Sequence, residues 1–490
     1  MLFNSYIFIF IFLPAVFFIY FGLILNKKNY LAKCWLVIAS LFFYGWWNIY
    51  FLPILIVSIL VNFSITRKIQ SLKKNKNDAK PRKIFFLAGL LFNITFLGYF
   101  KYRDFFLETI NQIFQSDFVL LHLAFPLGIS FFTLQQIAFL VDAYEDLADE
   151  PNFIDYSVFV AFFPQLIAGP IVHHQEMMPQ FSAFQNQRVD YKNITQGVLI
   201  FFIGLFKKVV IADTFAGWAT TGFDDATTLT FIEAWATSVS FTFQLYFDFS
   251  GYSDMAVGIA LLFNIKLPNN FNSPFQATSI INFWARWHIT LTRFITTYLY
   301  TPIIKGFRSI SFKNSMIATF LAMLIAGLWH GAAWTFVVFG AIHGGALVVN
   351  HVWKRLKLPC SKFIGWFLTF NLVNLSLIIF RANELKDAVK VIRGMLGFSG
   401  VVVTADLIEA LPFVKNFGFY VGDHLLNIEA SDDVFRMLFL AGIMILFGKN
   451  STHISNAASM SWTTIIIASF VIVLSIFSLG KESPFLYFNF

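Results

Sequence analysis

Charge is what this sequence has least of. Only 13% of its 490 residues are Asp, Glu, Lys or Arg, where a soluble domain carries about 25%. With 58% hydrophobic residues and a mean hydropathy of +0.69, the chain cannot cover a water-exposed surface, and it reads as an integral membrane protein. Cysteine is scarce too. Cys34 and Cys360 are the two present, each near basic residues, which leaves no disulfide framework. The sequence has no glycine-rich phosphate loop, paired-cysteine motif, Gly-x-Ser-x-Gly elbow, internal repeat or low-complexity linker. Its apolar runs lack the polar–apolar alternation of an outer-membrane barrel. What is abundant is Phe, at 66 residues, a side chain suited to lipid contact and to packing between helices. The expected class is an all-α polytopic membrane protein.

The formal net charge of +8 does not point to nucleic acid. The Lys and Arg residues sit in short loops between apolar runs, where the positive-inside rule places them on the cytoplasmic side. The first run, 2–25, has no basic residue ahead of it and Lys27 and Lys28 behind it, so it reads as a retained helix with its N-terminus outside. The segment 67–83 holds eight Lys or Arg and one Asp and reads as cytoplasmic. Apolar runs continue to residue 480, giving roughly 11–13 segments, several too short for the ~20 residues of a full span. Pro126-Leu-Gly128 and Gly169-Pro170 imply broken or re-entrant helices, which are tolerated where protein buries the backbone. One membrane domain, 1–490, is expected, with a small extracytoplasmic insertion at about 399–433.

An ionisable residue in an apolar segment costs about 2.5–3.5 kcal/mol on insertion scales, so each is a functional candidate. His330 stands between two apolar arms in Leu328-Trp329-His330-Gly331-Ala-Ala-Trp334. Basic residues at both outer ends make the arms a hairpin, with His330 near its apex, about 25 Å from those ends. A neutral imidazole there can take a proton from a hydroxyl; the alternative is a hydrogen-bonded packing histidine. Gly327 and Gly331 are spaced for close helix approach.

In the stretch 282–302, a single helix would place Trp284, Trp287, Leu291, Ile295 and Tyr298 on one face with His288 beside them, and Arg286 and Arg293 opposite. Such a helix suits the cytoplasmic interface, its arginines turned to lipid phosphate or a phosphorylated substrate. Asp248 and Asp254 interrupt the apolar run 234–265. Their cost demands partners, and the Ser-Gly-Tyr-Ser between them reads as a helix break; they orient a histidine or cap that break. His173 and His174, with Glu176 nearby, do not share a helix face, and without a further ligand no metal is expected.

Five segments, in this order, resemble the membrane-bound O-acyltransferase family, in particular its alginate and peptidoglycan O-acetyltransferases. They are Phe163-Pro-Gln-Leu-Ile-Ala-Gly-Pro-Ile171, Tyr246-Phe-Asp-Phe-Ser-Gly-Tyr-Ser-Asp-Met-Ala256, Phe283-Trp-Ala-Arg-Trp-His-Ile-Thr-Leu291, Leu328-Trp-His-Gly-Ala-Ala-Trp-Thr-Phe336 and Pro484-Phe-Leu-Tyr-Phe-Asn-Phe490. The teichoic-acid D-alanyl transfer protein is a more distant resemblance. Two positions depart from the pattern: His173 and Ala285 stand where Arg is common.

The resemblance implies a ring of tilted helices around a tunnel in the bacterial inner membrane. It matches His330 to the family's essential histidine and His288 to its second polar position, with Arg286, Asp248, Asp254 and Trp329 as supporting residues. The expected reaction takes acetyl from a cytoplasmic thioester, acetyl-CoA as donor substrate with no bound cofactor, and passes it across the membrane for O-acetylation of an extracytoplasmic polysaccharide. An extracytoplasmic partner protein completes the transfer. Tyr487 carries the last side-chain hydroxyl of the tail and is the candidate acyl relay; its alternative is an interfacial anchor. The rival readings are a polysaccharide-precursor flippase and D-alanyl transfer from a carrier protein.

Overall fold

Most of the long charge-free runs become helices, and Ser or Asn side chains mark where many begin. Ser311, Ser361 and Ser461 accept hydrogen bonds from the backbone N–H groups of Asn314, Ile364 and Thr464, satisfying donors left over at a helix start. The computed structural model describes residues 1–74, 79–410, 412–413, 418–457, 461–480, 483 and 485–486. Among them, seven helices are long and apolar enough to cross a membrane: Phe8–Leu25, Ile49–Ser71, Ala79–Phe114, Phe312–His330, Trp334–Arg355, Lys362–Arg381 and Trp462–Gly480. The other apolar runs form shorter or more polar helices, such as Ile129–Tyr144. The chain is an all-α polytopic membrane protein.

Two compact units divide the chain. The first comprises Met1–Leu205, Tyr252–Asn269 and Ser451–Phe490. Its centre is a cluster of phenylalanines in which Phe8, Phe12, Phe43 and Phe163 lie with ring centroids 5.4–6.3 Å apart, within the range of favourable aromatic pairs. Buried Asn62 and Asn93 in this unit exchange side-chain hydrogen bonds of 3.2 and 2.6 Å. The apolar run through residue 172 is helical only over Phe153–Ala161. The helix stops before Pro164, and the irregular backbone that follows, which contains Gly169 and Pro170 as expected, is buried. Its groups find partners: the Phe163 N–H donates to Ser40 Oγ and the Phe159 carbonyl accepts from Gln135 and Gln165.

The second unit comprises Phe206–Gly251 and Asn270–Asn450. Its main feature is the expected hairpin, Phe312–His330 and Trp334–Arg355. A Cβ on Gly327 would meet the Phe336 carbonyl at 2.4 Å, and one on Gly340 the Met323 carbonyl at 2.6 Å. The element that approaches the glycines is therefore the hairpin's own return arm. The 399–433 region contains a short parallel pair, Val402–Val403 with Tyr420–Val421.

Two local expectations are overturned. The Asp248–Asp254 stretch contains no break, for Phe231–Leu262 is one continuous helix. Its Gly251 is buried and helical, and the carboxylates are accommodated by partners rather than by irregular backbone. The 282–302 stretch, by contrast, is not one helix. It divides into Ile280–Trp284, Ile289–Ile295, a π-helical turn Thr296–Tyr300 and Thr301–Lys305. The first piece ends at Trp284, and His288, at φ 44°, is the left-handed residue from which the second starts, a conformation His tolerates better than branched residues.

Candidate active site

The kink puts His288 where a continuous helix could not. The side chain is fully buried, and its Nδ1 lies 3.0 Å from Asn270 Oδ1. The same oxygen accepts from the Thr290 hydroxyl at 2.9 Å and the Thr290 N–H at 3.3 Å. An amide oxygen only accepts, so Nδ1 carries the proton and Nε2 holds the lone pair. The ring packs edge-on against Phe249, centroids 4.8 Å apart. His288 belongs to none of the seven spans, and burial lowers its pKa to about 3, which keeps the imidazole neutral.

His330 is the last residue of the first hairpin arm and is buried. Eighteen helical steps from Phe312 place it about 27 Å along that arm. Its ring is surrounded by Trp329, Phe339 and Phe380, with centroids 5.0, 6.0 and 5.5 Å away. Trp329 also lies 6.4 Å from His288. The fold thus brings His288, Trp329 and His330 together, two imidazoles each in ring contact with one indole in an aromatic setting.

The supporting residues separate by what they touch. Asp248 pairs with Lys208 at 2.7 Å, and Lys208 also pairs with Asp213 at 2.8 Å. Lys208 and Asp248 are both buried, and this carboxylate neutralises the cation. Asp254 accepts from Ser451 Oγ at 2.5 Å. Arg286 is half-buried and its Nη1 donates to the Asn272 carbonyl at 3.3 Å, while the Asn272 N–H returns a bond to the Arg286 carbonyl. That exchange braces the kink. Tyr487 lies outside the described residues, but the tail leading to it is held: Asn4 donates to the Ser483 carbonyl at 3.1 Å, and buried Phe485 packs on Tyr252, centroids 4.6 Å apart.

Three residues escaped the sequence reading: Asn270, Lys208 and His343. Lys208 and His343 lie in apolar runs, so the rule that selected His330 also selects them. Asn270 is neutral and carries no such mark. His343 is a packing histidine: Trp284 Nε1 donates to its Nδ1 at 3.3 Å, and its Nε2 lies 2.8 Å from Ser376 Oγ, whose hydrogen goes to the Val373 carbonyl. Both nitrogens are thereby satisfied in one neutral tautomer. An apolar cavity of about 560 Å³ opens beside Trp284, Met316, Met323 and His351 and offers binding surface.

Residues 85–379 match the model of the MBOAT, membrane-bound O-acyltransferase family. Over its full length the chain is 46% identical to the peptidoglycan O-acetyltransferase of Helicobacter pylori, covering 98% of that protein. It is 33% identical to the probable alginate O-acetylase AlgI of Pseudomonas putida, with both chains covered completely. Over 52% of the chain it is 25% identical to the teichoic acid D-alanyltransferase of Bacillus subtilis, 68% of which is covered.

Proposed function

The chain belongs to the membrane-bound O-acyltransferase family, and from that premise we propose that it moves an acetyl group from a cytoplasmic thioester, acetyl-CoA, across the bacterial inner membrane for O-acetylation of an extracytoplasmic polysaccharide, with peptidoglycan the foremost acceptor. The observation that carries the site assignment is the pair of buried imidazoles, His288 and His330, each in ring contact with Trp329. Similarity to the peptidoglycan O-acetyltransferase supports the acceptor.

In the proposed chemistry His330 takes the proton of the acceptor hydroxyl as its oxygen attacks the thioester carbonyl. The C–S bond breaks, the thiolate leaves with a proton, and the acetyl ester remains on the acceptor oxygen. His288, with Nδ1 fixed by Asn270, positions the thioester. Stabilising developing charge in such a low-dielectric site is often the larger contribution to rate. Tyr487 serves as an intermediate acceptor: its phenol oxygen takes the acetyl, then yields it to a hydroxyl on an extracytoplasmic partner, splitting one long transfer into two.

Purified protein incubated with radiolabelled acetyl-CoA tests the reading. The thioester should be cleaved with label passing to the protein's own tail, and His330→Gln, which preserves volume and polarity, should lower the rate of that step by about 10²–10⁴-fold with the melting temperature unchanged. A flippase would leave the thioester intact. Transfer from D-alanyl carrier protein in preference to acetyl-CoA would move the chain to the other donor.

A further inference from the structure

Outside the histidine pair, one cluster has ligand chemistry that the acyltransferase reading does not use. Asp142, on the last turn of helix Ile129–Tyr144, faces His173 and His174 within the first unit. The expectation that neighbouring histidines diverge holds inside a helix, and His173 is not inside one. It is the extended residue before helix His174–Ser182, at φ −85° and ψ 140°. The change of backbone direction lets both rings turn toward one carboxylate, and the third ligand comes from a different helix, which spacing along the sequence could not reveal.

The distances have the right scale. His173 Nδ1 is 3.5 Å and His174 Nδ1 3.2 Å from the same oxygen, Asp142 Oδ2. Ligands about 2.0–2.1 Å from a tetrahedral zinc ion lie about 3.3–3.4 Å from one another. One ligand atom from each residue can be chosen so that all three lie within 4.8 Å of one another. Asp142 and His174 are buried, 3% and 7% exposed, and His173 is half-buried.

Hydrogen-bond geometry leaves one nitrogen of His174 facing the carboxylate. His174 Nε2 faces the Leu147 carbonyl at 3.4 Å, an oxygen that also accepts from Gln175 at 2.8 Å. A carbonyl only accepts, so Nε2 carries the hydrogen and the neutral ring keeps its lone pair on Nδ1. That buried Nδ1 makes no hydrogen bond and points its lone pair toward a carboxylate oxygen. At 3.2 Å either a proton or a metal ion can bridge the two atoms. A second-atom bond to a carbonyl is also how ligating histidines are held in the right tautomer. Two imidazoles with one carboxylate suit zinc among the common divalent ions.

We propose that Asp142, His173 and His174 bind one zinc-class divalent ion, with a fourth position open to water, which clips the end of helix Ile129–Tyr144 to the entry of helix His174–Ser182. The site is separate from acyl transfer in the reading above and stands or falls independently of it.

The test uses the full chain, purified in detergent with a histidine-free tag, stripped with chelator and titrated with Co²⁺ and Zn²⁺. The expected result is one equivalent of either ion per chain, with the visible d–d bands of four-coordinate Co²⁺ bleached by Zn²⁺. His174→Gln and Asp142→Asn should each weaken binding at least tenfold, whereas His424→Ala, at a His–Asp pair with no second imidazole, should leave it unchanged. Zinc should raise the melting temperature of the stripped wild type and not that of His174→Gln. The proposal is overturned if stripped wild type shows no d–d bands and no zinc-dependent shift, the behaviour of a proton-bridged His174–Asp142 pair. Undiminished binding by His174→Gln and Asp142→Asn overturns it as well. Should a variant fail to fold, the wild-type Co²⁺ spectrum decides alone.

Discussion

Asn270 Oδ1 stands 3.0 Å from His288 Nδ1 and receives two further hydrogen bonds from Thr290. One side-chain oxygen therefore fixes the tautomer of a buried imidazole and the turn that carries it. Asn270→Ala should lower acetyl transfer by about 10–100-fold, the usual scale for losing an orienting partner. Asn270→Asp, which keeps the accepting oxygen, should recover part of that loss. Steady-state rates of the two variants, with expression matched, check the order; equal rates in both would remove Asn270 as a positioning residue.

The neutral form of His288 also makes stability depend on pH. Its folded pKa of about 3 lies below the unfolded value near 6.5, so below that value the unfolded chain binds a proton that the folded chain refuses. The contribution is complete above about pH 6.5 and falls by about 1.4 kcal/mol per unit as pH drops toward 3. His288→Asn tolerates the left-handed backbone and does not titrate. Between pH 7.5 and 5.0 its melting temperature should fall less than that of the wild type, and parallel curves would contradict the assignment.

Lys208 and Asp248 form a buried pair whose halves are unequal to their sum. Removing one partner leaves an uncompensated charge, at a cost of about 3–5 kcal/mol. Lys208→Met should therefore unfold well below the wild type, and Lys208→Met with Asp248→Asn should regain much of the loss. Thermal unfolding in detergent measures both. If the double variant is the less stable one, the pair is not the reason for either residue.

The basic residues give an expected loop topology with 67–83 on the cytoplasmic side. In a Cys34→Ser, Cys360→Ser background, Ser71→Cys should resist a membrane-impermeant thiol reagent in intact cells, and Asp117→Cys should react. Position 71 is exposed, as is Asp117 beyond the end of Ala79–Phe114. Asn4, near the N-terminus, is buried and would report packing rather than sidedness. Labelling at 71 without labelling at 117 would invert the proposed orientation.

Tyr487→Phe retains the ring and deletes the phenol oxygen. The relay requires near-complete loss of polysaccharide acetylation, and mass spectrometry of the wild-type tail peptide after donor is added should show one acetyl on Tyr487. Wild-type turnover by the Phe variant would leave the tail as an anchor, the role that the packing of Phe485 on Tyr252 already gives its preceding part.

Much of this architecture was legible because it follows from charge-free length. The hairpin, its glycines and the apex histidine come from apolar runs, small residues and basic ends, all local signals. His288 was found for a reason that failed: an intact helix placed it on the apolar face, whereas a left-handed turn buries it. A left-handed His has no periodic signature, so the kink could not be read. Asp248 and Lys208 lie 40 positions apart in the sequence, and pairing at that range depends on tertiary packing. Asp142, His173 and His174 were hidden in the same way, by a rule about helices applied to a residue outside one.

The closeness of the hairpin arms bears on how the apex enters the membrane at all. Gly327 and Gly340 let backbone lie on backbone, and a Cβ at Gly331 would fall 2.0 Å from the Phe336 ring, so the turn is formed by the two arms together. A lone arm would carry His330 and the end of its helix into hydrocarbon unshielded. Entering as a preformed pair, the arms present Phe336 and Phe339 around those polar groups from the outset. Biogenesis, rather than turnover, is then where bulk at Gly331 or Gly340 would first be felt: such chains would be cleared by membrane quality control before reaching a substrate.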